Sequence, residues 1–215
     1  MDTAISNSTL GAIELKLAKI ISIIFHPLLM PTYGFLIILY TKNYFSTFTP
    51  TNLKLVILSV TFIFTFVLPA INALILLKMG RIKSLEMKTN NERITPYGSA
   101  TVYYFALYYL FYNASFPSVF KVVVLGAAIS ILIILVINFK WKISAHTAGI
   151  GGIAGSITGL IYRLQIDVQF ILMLVLFISG IVGYARLKLN AHTPSQIYLG
   201  FFLGLSVELL LMIFY

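Results

Sequence analysis

Long apolar stretches run through the whole sequence, separated by short clusters of charged and turn-forming residues. A helix needs about 20 residues to cross the hydrocarbon core of a bilayer, and most of these stretches approach or exceed that length. The pattern predicts an all-α fold, a polytopic transmembrane bundle of six to seven spans that forms a single domain over residues 1–215. The predicted spans are 17–40, 53–77, 97–114, 118–138, 147–162, 168–185 and 193–214.

Prolines interrupt the first two predicted spans. Pro27, which follows His26, and Pro31 each remove a backbone donor and disfavour helix just before them. The first span is therefore expected to kink or to divide into two shorter helices. Pro69 predicts a milder kink in the second span. His26 is expected to satisfy backbone groups that the prolines leave free.

Small residues recur at four-residue spacing in two of the spans. Gly151, Gly155 and Gly159 form such a stripe in the fifth span, and Gly200 and Gly204 form a shorter one in the seventh. Small residues at this spacing let two helices approach closely. We predict that these two spans lie in the interior of the bundle and pack against each other.

Composition excludes most soluble classes of protein. Only 10% of the residues are charged and 60% are hydrophobic, whereas soluble domains keep about a quarter of their residues charged. The net charge of +9 is explained by loop charges that set topology and attract anionic lipid, so no nucleic-acid partner is expected. The absence of cysteine excludes disulfides and thiolate chemistry.

Alternating spans bring the segments 78–96, 139–146 and 186–192 to one side of the membrane together with the N-terminus; we name this side the motif face. Eleven basic residues against four favour a cytoplasmic motif face, although a re-entrant first span would change the parity. We expect a multi-pass protein of a bacterial inner membrane. The motif-face basic residues are Lys16, Lys19, Lys78, Arg81, Lys83, Lys88, Arg93, Lys140, Lys142, Arg186 and Lys188; the others are Lys42, Lys54, Lys121 and Arg163.

The motif face gathers residues that suit a phosphate group. Arginine matches phosphate oxygens in a bidentate fork, and a helix N-terminus favours an anion. Two histidines can divide phosphoryl transfer, one attacking phosphorus and the other protonating the departing alkoxide. This chemistry requires no metal and no other cofactor. The candidate residues are Lys88, Arg93, Ser144, His146, Arg186 and His192.

The order and spacing of these residues resemble the type 2 phosphatidic acid phosphatase superfamily over roughly residues 78–205. The signature of these membrane phosphatases is a lysine-to-arginine-proline segment, then Pro-Ser-Gly-His, then Ser-Arg, five residues, His, three residues and Asp. The first element here is the weakest, because its lysine is closer to the arginine than in the family. The corresponding residues are Lys88, Arg93 and Pro96; Ile143-Ser144-Ala145-His146; and Ala185-Arg186, His192 and Gln196.

The resemblance implies a reaction and roles for individual residues. His192 would be the nucleophile that forms a phosphohistidine, and His146 the general acid that releases the lipid alcohol. The substrate would be a lipid phosphate or diphosphate, such as phosphatidate, phosphatidylglycerol phosphate or a polyprenyl diphosphate, and the sequence does not separate these. It does not predict an oligomeric state either. Arg93, Ser144 and Arg186 would hold the phosphate, with Lys88 as a fourth group.

Several positions depart from the signature, and three of them affect the chemistry. Gln196 stands where the family has the aspartate that orients the nucleophile, Ala185 removes a hydroxyl, and Ala145 replaces a glycine. A glutamine oxygen can still accept from Nδ1 of the histidine, but it lacks the negative charge. An impaired enzyme that binds lipid phosphate, or acts as a scaffold, is therefore the alternative function.

A small transporter is the second alternative. The predicted polar groups gather at one membrane level and no inverted repeat is evident, which argues against it. Glu208 lies sixteen residues after His192, roughly 24 Å along a helix. We therefore expect Glu208 near the opposite face, without a part in the same reaction.

Overall fold

A computed structural model describes residues 2–87, 89–114 and 116–215. Across these ranges the chain forms helices joined by short loops, with no strand, which confirms the predicted all-α bundle. A helix lies over each of the seven predicted spans. The helices are α1 (Asp2–Ile24), α2 (Met30–Tyr40), α3 (Tyr44–Phe48), α4 (Thr51–Phe62), α5 (Leu68–Lys78), α6 (Asn90–Asn113), α7 (Ser118–Asn138), α8 (Ala145–Leu164), α9 (Gln169–Lys188) and α10 (Pro194–Phe214).

The first predicted span divides into two helices, as its prolines predict. A short 3-10 helix, Pro27–Leu29, separates α1 from α2. The residue before a proline avoids helical backbone angles, and His26 is accordingly extended, with φ −66° and ψ 136°. Its Nδ1 accepts a hydrogen bond from the backbone N–H of Leu28 at 3.3 Å. This contact confirms that His26 satisfies backbone freed by the break.

The second predicted span is irregular just before Pro69. A π-helical turn, Ile63–Val67, separates α4 from α5. Pro69 has no N–H to donate to the carbonyl four residues earlier, that of Thr65. The hydroxyl of Tyr104 in α6 donates to this carbonyl instead, at 3.5 Å. This hydrogen bond, to a carbonyl that Pro69 leaves free, joins the irregular turn to α6.

The two glycine-bearing helices, α8 and α10, pack closely and run in the same direction. All five glycines of the predicted stripes are buried, and α8 packs more extensively against α10 than any other pair of helices in the described part of the chain. A Cβ atom at Gly204 would overlap the carbonyl of Ala148, and one at Gly151 would overlap that of Phe201. The prediction that these helices are interior neighbours is confirmed.

Five segments of the described chain are long and apolar enough to cross a membrane: 11–40, 51–78, 118–138, 169–188 and 194–214. Their length and composition indicate an integral membrane protein. α6 and α8 fall outside this set. Polar residues such as Arg93 and His146 lower the hydropathy of these two helices, and the crossing of seven helices stays a prediction.

Candidate active site

Four of the predicted site residues line a single cavity of about 190 Å³. Arg93 lies in the first turn of α6, His146 in the first turn of α8 and Arg186 in the last turn of α9. His192 lies in the loop that leads into α10. Helix ends from distant parts of the sequence therefore bring two imidazoles and two guanidinium groups to one end of the bundle.

The first residues of α8 and α10 are joined directly. The backbone N–H of Ser144 donates to the carbonyl of Gln196 at 3.2 Å. Each helix start is capped by a hydroxyl residue, Ser144 for α8 and Thr193 for α10, as the preference of serine and threonine for these positions leads one to expect. The two helix N-termini are thus held side by side, and the positive ends of both dipoles lie near the histidines.

Ser144 does not line the cavity in this arrangement. Its side chain is fully buried, and its Oγ accepts from the backbone N–H of Thr147 at 3.4 Å. The local role of Ser144 is therefore to cap α8. A direct contact between this hydroxyl and a substrate phosphate stays a prediction.

Gln196 fixes the orientation and tautomer of His192. Nδ1 of His192 lies 3.0 Å from Oε1 of Gln196, and the backbone N–H of Thr193 donates to the same oxygen at 3.2 Å. Because that N–H can only donate, the amide must present its oxygen here, and Nδ1 of His192 must carry the proton. The lone pair of the neutral ring is therefore on Nε2, the nitrogen available as a nucleophile.

The surroundings of His192 keep its imidazole neutral. Burial is the main cause that lowers the pKa of His192 from 6.5 to about 3; the nearby cations Arg93, Arg186 and Lys142 contribute to the decrease, and the hydrogen bond to Gln196 opposes it. Only the neutral imidazole has a free lone pair. The ring of His192 is therefore neutral, with a lone pair on Nε2 that can attack an electrophile, throughout the neutral range of pH.

Ser22, a buried residue of α1, contacts two of the site residues at once. Its backbone carbonyl lies 3.1 Å from Nε2 of His146, and its Oγ accepts from Nη1 of Arg186 at 3.1 Å. A carbonyl can only accept, so Nε2 of His146 carries a proton. The remaining nitrogen of His146, Nδ1, is left to exchange a proton with a substrate.

Arg186 retains an unused donor. Its Nε is buried and has no hydrogen-bond partner within the described residues, although the side chain lines the cavity. Leaving a buried donor unsatisfied costs about 1–3 kcal/mol, and more when the group is charged. An anion bound in the cavity would supply the missing acceptor.

Arg93 is held from the loop that precedes its helix. It is 6% exposed, and its Nε donates to the carbonyl of Met87 at 2.8 Å. Lys88, the weakest candidate of the sequence signature, lies outside the described residues. Lys142 supplies a further cation near the site. Burial lowers the pKa of Lys142, and Arg93 and Arg186 lower it further.

His26 is a third imidazole on the cavity wall. Its ring makes an edge contact with His146, with 5.6 Å between the ring centres. The sequence identified only its role in the broken first span. No residue spacing relates His26 to His146, and only the packing of α2 and the 3-10 helix Pro27–Leu29 against α8 brings them together.

The expectation that Glu208 lies apart from the site, near the opposite face, is wrong. Its side chain is 3% exposed and lines the same cavity as His192. The expected separation of roughly 24 Å counted only the rise between backbone positions along the helix axis. Side chains in a helix tilt toward its N-terminus, and the cavity extends inward from the histidines, so that both residues reach it.

Comparison with known families supports the resemblance in the C-terminal part of the chain. The family model of the PAP2 superfamily matches residues 138–215, the region that contains His146, Arg186, His192 and Gln196. The match covers about a third of the chain, and it shows that this part is similar to the PAP2 superfamily. Arg93 lies outside the matched region. No curated protein and no solved structure matches the chain.

Proposed function

We propose that this PAP2-type chain is a membrane phosphatase that hydrolyses a lipid phosphate or a polyprenyl diphosphate through a phosphohistidine intermediate. The observation that carries the proposal is the cavity shared by His146, His192, Arg93 and Arg186, in which Nε of Arg186 is buried without a hydrogen-bond partner among the described residues. A phosphate oxygen satisfies that donor and suits the bidentate geometry of a guanidinium group.

In the first step, Nε2 of His192 attacks phosphorus while the P–O bond to the lipid breaks. The electron pair of that bond leaves with the oxygen, which takes a proton from Nδ1 of a protonated His146. Arg93 and Arg186 offset the negative charge on the phosphoryl oxygens in the transition state. The products of this step are the free lipid alcohol, or lipid phosphate, and phosphohistidine.

In the second step, water attacks the phosphohistidine. Nδ1 of His146, neutral after the first step, accepts a proton from the water, and the P–N bond breaks to return its electron pair to Nε2 of His192. Inorganic phosphate leaves, and both rings regain their starting protonation. The fixed cations and the two helix N-termini supply the electrostatic stabilisation that this transfer needs.

The lining of the cavity supports an amphiphilic substrate. Beyond the charged groups at one end, the wall is largely apolar and includes Met30, Val123, Ile131 and Ile134. Such a surface suits the first part of a hydrocarbon tail while the phosphate contacts the arginines. A small, fully polar phosphate ester would leave this surface uncovered.

A lipid-phosphate binder with little turnover is the second candidate, and Gln196 favours it. Its oxygen retains the hydrogen bond to His192, so the geometry of a nucleophile is kept. The imidazole becomes positively charged as it forms the phosphohistidine, and a neutral amide stabilises that charge less than a carboxylate does. Binding without hydrolysis would identify this second function.

The proposal is tested by phosphate release in detergent with EDTA present. The substrates are phosphatidate, phosphatidylglycerol phosphate, a polyprenyl diphosphate and a water-soluble phosphate monoester. We expect release from at least one lipid, its loss in His192→Ala, and retained release in Lys140→Ala, which removes an exposed cation that does not line the cavity. Release that persists in His192→Ala would contradict the mechanism. Lipid binding without any release would favour the second candidate.

A further inference from the structure

Three further buried polar side chains line the cavity, and two of them are in contact with each other. Ser130 comes from α7, Ser156 from α8 and Glu208 from α10, and all three line the same cavity as the histidines. Oγ of Ser156 donates to Oε2 of Glu208 at 3.2 Å. A buried ionisable group in a membrane bundle is costly, and its retention points to a function.

The bundle is shaped around the side chain of Glu208. A Cβ atom added to Gly126 in α7 would lie 2.5 Å from the carboxyl carbon, and one added to Gly152 in α8 would lie 3.4 Å from Cγ. The carboxyl group thus occupies a notch between two neighbouring helices. Gly152 follows His146 by six residues and Ser156, which contacts the carboxyl group, follows it by ten, so the notch extends from roughly 9 Å to roughly 15 Å deeper along α8 than His146.

An interhelical hydrogen bond alone does not account for this cluster. The contact between Ser156 and Glu208 joins α8 to α10, which the glycine stripes already hold together. It leaves Ser130 unexplained, because the buried Oγ of Ser130 has no hydrogen-bond partner within the described residues. A serine hydroxyl in a helix ordinarily bonds to a nearby carbonyl, so an unsatisfied one on a cavity wall points to a ligand acceptor.

The three groups form a set of hydrogen-bond donors in an otherwise apolar region. An ionised carboxylate is strongly disfavoured in such surroundings, whereas a neutral carboxyl group carries a proton that it can donate. The two serine hydroxyls are donors as well. The complementary ligand group is a neutral oxygen acceptor embedded in hydrocarbon.

We propose that Glu208 and Ser130 bind an acyl carbonyl of the substrate, so that the site selects acylated lipid phosphates over polyprenyl phosphates. The inference rests on the proposed function, because it requires the phosphate to lie at the arginines. In an acylated glycerol phosphate, the ester carbonyl oxygen follows phosphorus after about six covalent bonds, a reach of about 7 Å when extended, toward the end of the notch that is nearer the arginines. A polyprenyl chain carries no acceptor at that depth.

The test compares two lipids that differ only in the carbonyl oxygens, a diacylglycerol phosphate and its dialkyl ether analogue of equal chain length. Equilibrium binding is measured on full-length His192→Ala protein in detergent, so that the result does not depend on turnover. One additional neutral hydrogen bond corresponds to about a three- to tenfold difference in Kd in favour of the diacyl lipid. Equal affinity for the two lipids would overturn the inference.

Variants in the same background assign the preference to the cluster. Glu208→Gln retains a donor of similar shape and is expected to keep the preference. Glu208→Met fills the notch without a donor and should abolish it, and Ser130→Ala should reduce it. A preference that survives both Glu208→Met and Ser130→Ala would overturn the assignment. If Glu208→Met fails to fold, Ser130→Ala decides the question.

Failure of this inference is distinguishable from failure of the proposed function. Phosphate release by protein with an intact His192 tests the function, and the ratio of the two Kd values tests the carbonyl site. An enzyme that releases phosphate equally from both lipids, and binds them equally, would keep the function and lose the inference. The reverse pattern, a diacyl preference without release, would keep the carbonyl site and favour a binding protein.

Discussion

Nδ1 of His192 lies 3.0 Å from Oε1 of Gln196. This contact fixes the tautomer of the histidine, but its neutral acceptor stabilises a charged imidazole less than a carboxylate would. The amide oxygen orients the ring as a carboxylate would, but it adds no negative charge. In a serine protease, replacing the aspartate that orients the catalytic histidine with a neutral amide lowers kcat about 10⁴-fold. The identity of residue 196 is therefore expected to limit turnover.

Replacing Gln196 with an acidic residue should raise turnover. Gln196→Glu keeps the length of the side chain, and Gln196→Asp restores the family residue; each places a negative charge beside His192, which raises the pKa of the imidazole and stabilises its charged form. We expect kcat to rise at least about tenfold, the effect of roughly 1.4 kcal/mol of transition-state stabilisation. Steady-state phosphate release at neutral pH measures the change.

The matched control for this change is Gln196→Met, which has a similar length and no oxygen. It should lower kcat below that of the wild type because Nδ1 of His192 loses its acceptor. The acid limb of the pH–rate profile should also move to higher pH in Gln196→Glu. Unchanged kcat in all three variants would contradict the orienting role of residue 196.

Removal of the Ser22 hydroxyl should weaken substrate binding more than it slows the chemistry. In Ser22→Ala, Arg186 loses the acceptor at 3.1 Å, whereas His146 keeps its contact with the backbone carbonyl. We expect KM to rise about three- to tenfold with kcat within about twofold of the wild type. Ser22→Thr should restore KM, and Ser179→Ala, at a half-buried position on α9 that does not line the cavity, should leave it unchanged. A fall in kcat without a change in KM would contradict the prediction that Ser22 acts on substrate binding and not on the chemical step.

A methyl group at Gly204 should destabilise the bundle. A Cβ atom there would overlap the carbonyl of Ala148, whereas one at Gly180 in α9 would have no neighbour within 4 Å. Gly204→Ala is expected to cost about 1–3 kcal/mol, typical of overpacking, and Gly180→Ala should be neutral or slightly stabilising. Thermal unfolding in detergent compares the two variants. Equal melting temperatures would show that α8 and α10 do not pack as closely as described.

Protonation of His192 should make the folded protein less stable in acid. The pKa of this residue is about 3 in the folded protein against an ordinary 6.5, so below pH 6.5 the unfolded chain binds more protons than the folded one. The contribution of His192 to stability is full above pH 6.5 and is lost as pH falls toward 3. At pH 5 the free energy of unfolding has lost on the order of 2 kcal/mol of this contribution.

His192→Asn isolates this contribution from that of other groups. The melting temperature of the wild type should fall more between pH 8 and pH 5 than that of His192→Asn, which has no titrating ring at this position. Parallel falls in the two proteins would mean that the imidazole is not kept neutral by its surroundings.

The sequence predicted those features that depend on local pattern. Apolar stretches located the helices, prolines located the break near His26, and glycine spacing identified α8 and α10 as neighbours. The residues Arg93, His146, Arg186 and His192 were identified because each stands at the end of an apolar stretch. Topology alone then placed those ends on one side of the bundle.

The sequence did not predict contacts that depend on the packing of distant helices. Ser22 lies in an ordinary apolar stretch, and only the packing of α1 against α8 and α9 brings it to His146 and Arg186. Lys142 was identified only as one of the basic residues of the motif face. Glu208 was misplaced because distance along a helix does not reveal how far a side chain or a cavity extends.

The proposed reaction depends on a covalent bond between His192 and phosphorus, and this intermediate can be trapped. Protein is mixed with a lipid phosphate that it hydrolyses and whose phosphate is labelled. The reaction is quenched rapidly under alkaline denaturing conditions, which preserve phosphohistidine, and the protein is digested for mass spectrometry. We expect label on the peptide that contains His192 in the wild type, and no label on the corresponding peptide of His192→Ala. Label on another residue, or phosphate release at the wild-type rate by His192→Ala, would contradict it.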